Sequence, residues 1–263
     1  MPAPTTTAPA APLPGGPEAD PRPGTAAWWL AREKQSARKR RRRSLTLEAI
    51  LDASLDLLDD HGTAALTMRS VASALGCGQA SLYRHVRDRE ELVTLLADRA
   101  IDVASSPPPH GLDWAGQAAW SARLFRAHLL RHPALVSLLR GTERLGPNSL
   151  AGQEYALGLF INAGLSPALA SAAASSLATF IVGSVQFNLG LDAADPGERD
   201  NRRLLYRSRD PAVTPLLVQH ADTLAGVGKD DEFEVGLSAL IAGFRHLIDS
   251  SARPADGPPR SRS

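Results

Sequence analysis

Residues 158–191 carry no charged side chain, and this limits what the chain can fold into more than any other feature. A helix without charges cannot lie on a solvated surface, so it must cross a bilayer or be covered by protein on nearly all sides. Its second part, ALASAAASSLATFIVGSVQFNLGL, is long enough to span a membrane. It is only modestly apolar, because Ser171, Ser175, Ser176, Thr179, Ser184, Gln186 and Asn188 interrupt it, and insertion rewards Leu, Ile, Phe and Val far more. The balance favours a buried helix in a soluble protein with no membrane partner.

The remainder shows no convincing strand alternation, and apolar residues recur at helical spacing almost throughout. Helices are expected at about 114–131, 133–140, 149–163, 167–191 and 231–249. His132 before Pro133, Ser166 before Pro167, and the pair Asp230, Asp231 supply caps for three of them. Residues 192–215 and 253–263 are charged or proline-rich and read as mobile.

The first 24 residues are rich in Pro, Ala and Thr and lack the apolar core of a secretory signal, so they read as disordered. Next, residues 32–43 gather Arg32, Lys34, Arg38, Lys39, Arg40, Arg41, Arg42 and Arg43 against the single acid Glu33. The whole chain has a net charge of only +1, so the remainder is acidic by about six charges. Such a run fits a targeting signal, a solvated tail or a contact with a polyanion. Trp28 and Trp29 lie just before it, in a segment with no clear apolar face, either docked or exposed. Cys77 is the only cysteine, which excludes an intrachain disulfide and fits a reducing cytoplasm.

From Thr46 the pattern sharpens. Leu47, Ile50, Leu51, Leu55 and Leu58 share a face behind the cap Thr46, and Gly62 closes that helix. Thr67 caps a second helix with Val71, Ala74 and Leu75 inward and Gly76 as its stop. Asp88, with Glu91 three residues later, forms a capping box for a further helix. Between them, LGCGQASLYRHV has the spacing of a helix-turn-helix, whose second helix enters the major groove. Gln79 suits bidentate contact with adenine, Ser81 can bond to several bases, and Ala80 offers a methyl-sized surface to thymine. Tyr83 and Arg84 sit one turn on, where phosphates are nearer. Spacing alone leaves any pair of short helices with a glycine turn as an alternative.

Residues 46–96, TLEAILDASLDLLDDHGTAALTMRSVASALGCGQASLYRHVRDREELVTLL, closely resemble the DNA-binding domain of TetR-family transcriptional repressors. By position, the resemblance implies base contacts from Gln79, Ala80 and Ser81, with Arg84 close by and Arg69 reaching in from the preceding helix. It places Thr67, Met68, Tyr83, His85 and Arg89 at or beside positions that meet the DNA backbone, although Met68 has no donor to offer. Gly78 stands at a cap position where Ser is common, and Cys77 where a small apolar residue is usual.

The later segments LLRHPALVSLL, SLAGQEYALGLFINAGLSP and FEVGLSALIAGFRHLI resemble the C-terminal domain of the tetracycline-repressor branch. The implied fold class is all-α: an N-terminal three-helix helix-turn-helix domain followed by a helical ligand-binding and dimerisation domain. The implied organisation is a basic, disordered extension over 1–43, a DNA-binding domain over 44–104, a ligand-binding and dimerisation domain over 112–250, and a disordered tail over 251–263.

Pairing of the charge-free helix and the last helix with their copies in a homodimer would cover both. Candidates for an effector pocket are Trp120, Phe125 and His128 on one helix, Tyr155 and Asn162 on another, and Thr179, Phe180, Gln186 and Phe187 on the long one. His128 and His132 lie four apart, but a pair without a third ligand is a weak metal site, and His132 is explained as a helix cap. No nucleophile with a matching base, phosphate loop or three-ligand cluster is visible, so no enzyme and no cofactor is expected. The expected function is a cytoplasmic repressor released from an inverted-repeat DNA operator by a small-molecule effector. A ligand-independent or activating regulator working through a protein partner is the alternative. On the resemblance, the arginine run becomes part of the DNA-binding surface.

Overall fold

Helix-forming sequence between glycine and proline breaks gives a chain of helices. In the computed structural model the described residues are 21–36, 45–102, 106–139, 145–187 and 196–251. Among them the elements are α1 (Ala26–Ser36), α2 (Leu47–His61), a 3-10 turn (Thr63–Ala65), α3 (Met68–Ala74), α4 (Gln79–Leu82), α5 (Arg89–Arg99) and α6 (Trp114–Arg131). There follow α7 (Pro133–Leu138), α8 (Pro147–Asn162), α9 (Pro167–Gln186), α10 (Pro196–Arg207), α11 (Pro215–Gln219), α12 (Ala221–Gly226) and α13 (Lys229–Ser251), with no strand among the described residues.

Two apolar cores organise these helices. The first gathers Ile50 and Leu58 of α2, Val71 of α3, Leu82 of α4, and Leu92 and Leu96 of α5, together with Leu135 and Leu138 of α7. The second gathers Ala118 and Leu129 of α6, Phe160 of α8, Leu177 and Ile181 of α9, and Phe233, Leu237 and Phe244 of α13. α7 contributes Val136 to the second core as well, so it is shared between the two.

Local chemistry sets most helix ends as expected. The Thr46 hydroxyl accepts from the Ala49 N–H at 3.1 Å, and Gly62, at φ 75°, donates its N–H to the Leu58 carbonyl. Thr67 and Ser70 cap each other's backbone N–H groups, and Gly76 turns the chain at φ 61°. Ser54, wholly buried, is satisfied by donating to the Ile50 carbonyl at 2.7 Å.

Several expectations are corrected. Residues 1–43 do not all form a disordered extension: α1 is helical, and Trp28 and Trp29 are buried in the first core with their rings edge to face. Two large rings bury enough surface to dock a helix that has no continuous apolar stripe. The stretch 192–215 is likewise not simply mobile, since it holds α10, whose Arg203 and Arg207 pair with Asp222 of α12. Ala74 faces solvent, and Ala72 is buried in its place.

α9 ends at Gln186 rather than at 191, and α13 begins at Lys229, which puts Asp230 and Asp231 inside its first turn. His132 does stand at the cap position before Pro133, and its N–H donates to the His128 carbonyl at the end of α6, but its side chain makes no capping bond: Nδ1 lies 2.6 Å from Asp59 Oδ2. The Asp88 carboxylate does cap α5 through the Glu91 N–H, but Glu91 completes no box because its own carboxylate is taken by Arg32 and the Arg87 N–H. Ser251 still belongs to α13, and 252–263 lie outside the described residues.

α9 is long and apolar enough to cross a membrane, yet only 28% of its most apolar window is buried. Ala170, Ala173, Leu177, Ile181 and Val185 form the buried stripe. Another face borders the cavity described below.

Candidate nucleic-acid interface and effector cavity

The reading unit is built from the turn outward. Leu82, fully buried, pins α4 to the first core, while Gln79 and Ala80 of its first turn are exposed and Ser81 is half-buried. Gly78 offers no side-chain cap, so the turn is closed by the backbone bond from Ser81 N–H to the Gly78 carbonyl at 2.9 Å. Tyr83 and Arg84 stand exposed beyond the helix, and the Arg84 guanidinium donates to the Ser81 hydroxyl at 3.2 Å. α3 packs against α4 and carries Arg69 exposed. The short polar side chains of α4 are therefore gathered on a solvent-facing edge that also includes cations.

Other expected DNA-facing residues are occupied within the protein. The Thr67 hydroxyl is committed to its capping box, and His85 is half-buried. Met68 is buried and cannot meet a phosphate. Arg89 donates to the Leu66 carbonyl at 2.8 Å and the Thr63 carbonyl at 3.1 Å, so it ties α5 to the turn before α3. Arg40, Arg41, Arg42 and Arg43 lie outside the described residues.

Between α8 and α9 a cavity of about 480 Å³ opens, with Ile101 and Leu139 also in its lining. Its apolar walls include Phe125, Leu157 and Val182, and its polar groups are Ser149, Gln153, Ser171, Ser175, Thr179 and Gln186. No charged residue is among its described lining. Residues 171, 175, 179 and 183 recur every four positions, which turns one face of the charge-free helix toward the cavity.

Residues 107–248 match the protein family described as "Tetracyclin repressor-like, C-terminal domain", and residues 50–96 match "Bacterial regulatory proteins, tetR family". The chain belongs to the TetR family. It is 30% identical to the class A tetracycline repressor from transposon 1721 of Escherichia coli, over 80% of this chain and 94% of that one. It is 28% identical to the transcriptional repressor DrrR1 of Streptomyces coeruleorubidus, over 78% of this chain and 79% of the relative. The solved structure of ActR from Streptomyces coelicolor in complex with actinorhodin superimposes with a TM-score of 0.69 at 31% identity, covering 80% of this chain and all of that one. This TetR-family chain is thus a DNA-binding transcriptional regulator, not an enzyme.

Within this TetR-family fold the expected pocket residues separate into groups. Phe125, Thr179 and Gln186 line the α8–α9 cavity. His128 lies instead in a second cavity of about 250 Å³ at the junction of α2, α5, α6 and α7, with Arg99, Asp102 and Arg131. Burial, reinforced by His132 and Arg131, holds its imidazole below the ordinary value of 6.5. Its ring centroid is 5.0 Å from that of His132, whose Nδ1 is taken by Asp59.

Tyr155 and Asn162 line an outer groove between α6 and α8. Phe180 stacks on Phe233 at 5.3 Å and fills the space left by Gly236, so it packs helices rather than facing ligand. Phe187 is 81% exposed at the end of α9, and Trp120, half-buried, lines none of these three spaces. Size and aromaticity suggested these residues; helix rotation turns them away from the α8–α9 cavity. The small polar residues Ser171 and Ser175 also line that cavity, and their spacing of four on a charge-free helix marks the face that does so.

Proposed function

We propose that this regulator is a homodimeric, cytoplasmic repressor that a small molecule, bound between α8 and α9, releases from an inverted-repeat operator. The observation that carries this reading is the cavity itself. It has the volume and mostly apolar wall of a small-molecule site, with a few hydrogen-bonding groups to orient its occupant. Its uncharged lining favours a neutral, largely apolar effector carrying hydroxyl, carbonyl or amide groups, since an ionised group would find no counter-charge there. ActR, a TetR-family protein solved in complex with actinorhodin, supports a small-molecule effector for this chain.

The dimer is supported by what one subunit leaves uncovered. Leu169 on α9, and Val235 and Leu247 on α13, are exposed at 40%, 71% and 40%. Pairing α9 and α13 with their copies buries these faces and sets two reading helices about one DNA turn apart. In this reading Gln79, Ala80 and Ser81 contact bases, Arg69 and Arg84 lie beside them, and Tyr83 meets the backbone. Arg40 to Arg43 hold phosphates sequence-independently.

The test is binding to the DNA upstream of its own gene, followed by fluorescence anisotropy over a range of salt. A sequence-selective, salt-dependent complex with an inverted repeat is expected. Absence of any such complex overturns the proposal.

A further inference from the structure

α5 ends in a buried carboxylate that reaches into the neighbouring domain. Asp98 is 6% exposed. Its Oδ1 accepts from the Ser149 N–H at 2.9 Å and the Ser149 hydroxyl at 2.8 Å, and its Oδ2 accepts from the Asn148 N–H at 3.2 Å. These N–H groups belong to the first turn of α8, where they have no partner within the helix and a negative charge is favoured. The approach is open only because residue 146 is glycine: a Cβ there would fall inside the Asp98 carboxylate.

Both sides of this contact border the cavity. Ser149 lines it from α8, and Ile101, just beyond the end of α5, lines it from the other side. At its opposite end, about 10 Å away along the axis, α5 is fixed to the reading unit. There the buried Glu91 accepts from the Arg87 N–H at 2.7 Å and pairs with Arg32, while Arg89 holds the carbonyls before α3. One short helix is therefore bonded to the reading unit at its start and to the cavity wall at its end.

We propose that Asp98 is the positioning residue through which occupancy of the α8–α9 cavity moves the reading helices. An occupant that displaces the first turn of α8 must either drag α5 with it or strip three donors from a buried carboxylate. The second course costs more than a small rigid shift of the helix, so α5 follows. This inference rests on the effector-release reading given above.

The test uses the full chain in a Cys77→Ala background with Ala178→Cys, which places a thiol in the cavity wall. N-phenylmaleimide attached there is the probe of occupancy, and DNA affinity is read by anisotropy on an operator selected from random DNA by the unlabelled chain. With Asp98 present, labelling is expected to weaken DNA binding about tenfold or more; with Asp98→Asn, less than about threefold, with unlabelled affinities matched. If Asp98→Asn does not fold, Asp98→Ala, which removes the carboxylate and keeps a good helix former in α5, is the second variant, and the same loss of coupling is expected. Equal weakening with and without the Asp98 contact overturns this inference alone. No weakening in the Asp98 chain overturns the effector-release reading, and the inference with it.

Discussion

The reading unit and the cavity place charge in opposite ways. Around α4 the solvent-facing groups include Arg69 and Arg84, and a six-residue basic run precedes α2. Among the described residues, the cavity between α8 and α9 is lined by none. One region is suited to long-range, salt-sensitive attraction, and the other to shape and a few hydrogen bonds. The contrast teaches that the two activities can be tuned separately. Salt and surface charge should change the grip on DNA while leaving the cavity's preference alone.

The largest expected effect tests the charged side. Replacing Arg40 to Arg43 by Ala should lower affinity for any DNA by about 100-fold or more at moderate salt, flatten the salt dependence and leave base preference intact. Anisotropy titrations on specific and unrelated DNA across salt would check this, and lost base preference with intact non-specific binding would erase the contrast. Arg32→Ala should come next, because it leaves Glu91 buried without its cation; with the Arg87 N–H still bonded to Glu91, the cost should be about 2 kcal/mol. Urea unfolding would show it as a lowered midpoint.

Gln79→Ala should remove about 1 to 3 kcal/mol at the preferred operator and nothing on unrelated DNA, which sharpens the division between reading and gripping. Competition binding would measure it. A smaller effect sits at the junction between the two domains. His128 titrates below its ordinary 6.5 in the folded state, so the unfolded chain takes up a proton first as the pH falls. Stability should therefore be full above pH 6.5 and decline below it until the folded value is passed, and His128→Gln should flatten the decline. Denaturation above and below that pH would test the sign.

The smallest effect is expected at the surface pair of Arg123 and Glu234, 2.6 Å apart but half exposed. The Arg123 hydrogen bond holds the Glu234 carboxyl below its ordinary 4.5, so whatever stability it adds is present at neutral pH and lost as pH falls through that lowered value. Arg123→Ala should cost less than about 1 kcal/mol by thermal unfolding.

The helix-turn-helix was legible because its determinants are local. Thr46, Thr67 and Asp88 each cap a backbone N–H three residues away, and Gly62 and Gly76 close helices a few residues behind them. Helix α1 was not legible, since its docking depends on two tryptophans and on an ion pair from Arg32 to Glu91, far along the chain. The cavity lies between these cases. Phe125, Thr179 and Gln186 line it, but which face of α6 and α8 turns toward it depends on packing between distant helices, so Tyr155 and Asn162 line another groove and Trp120 lines neither. The cap position of His132 was legible, but its side-chain partner was not, because Asp59 lies on a distant helix.

The close fit of Gly146 against Asp98 has a consequence for descent. The constraint runs one way: an acid at 98 in this position admits no side chain at 146, whereas glycine at 146 tolerates loss of the acid. Across related sequences glycine at 146 should therefore accompany the acid at 98. Lineages that lack the acid should show 146 drifting among many residue types, and those that keep it should show glycine alone.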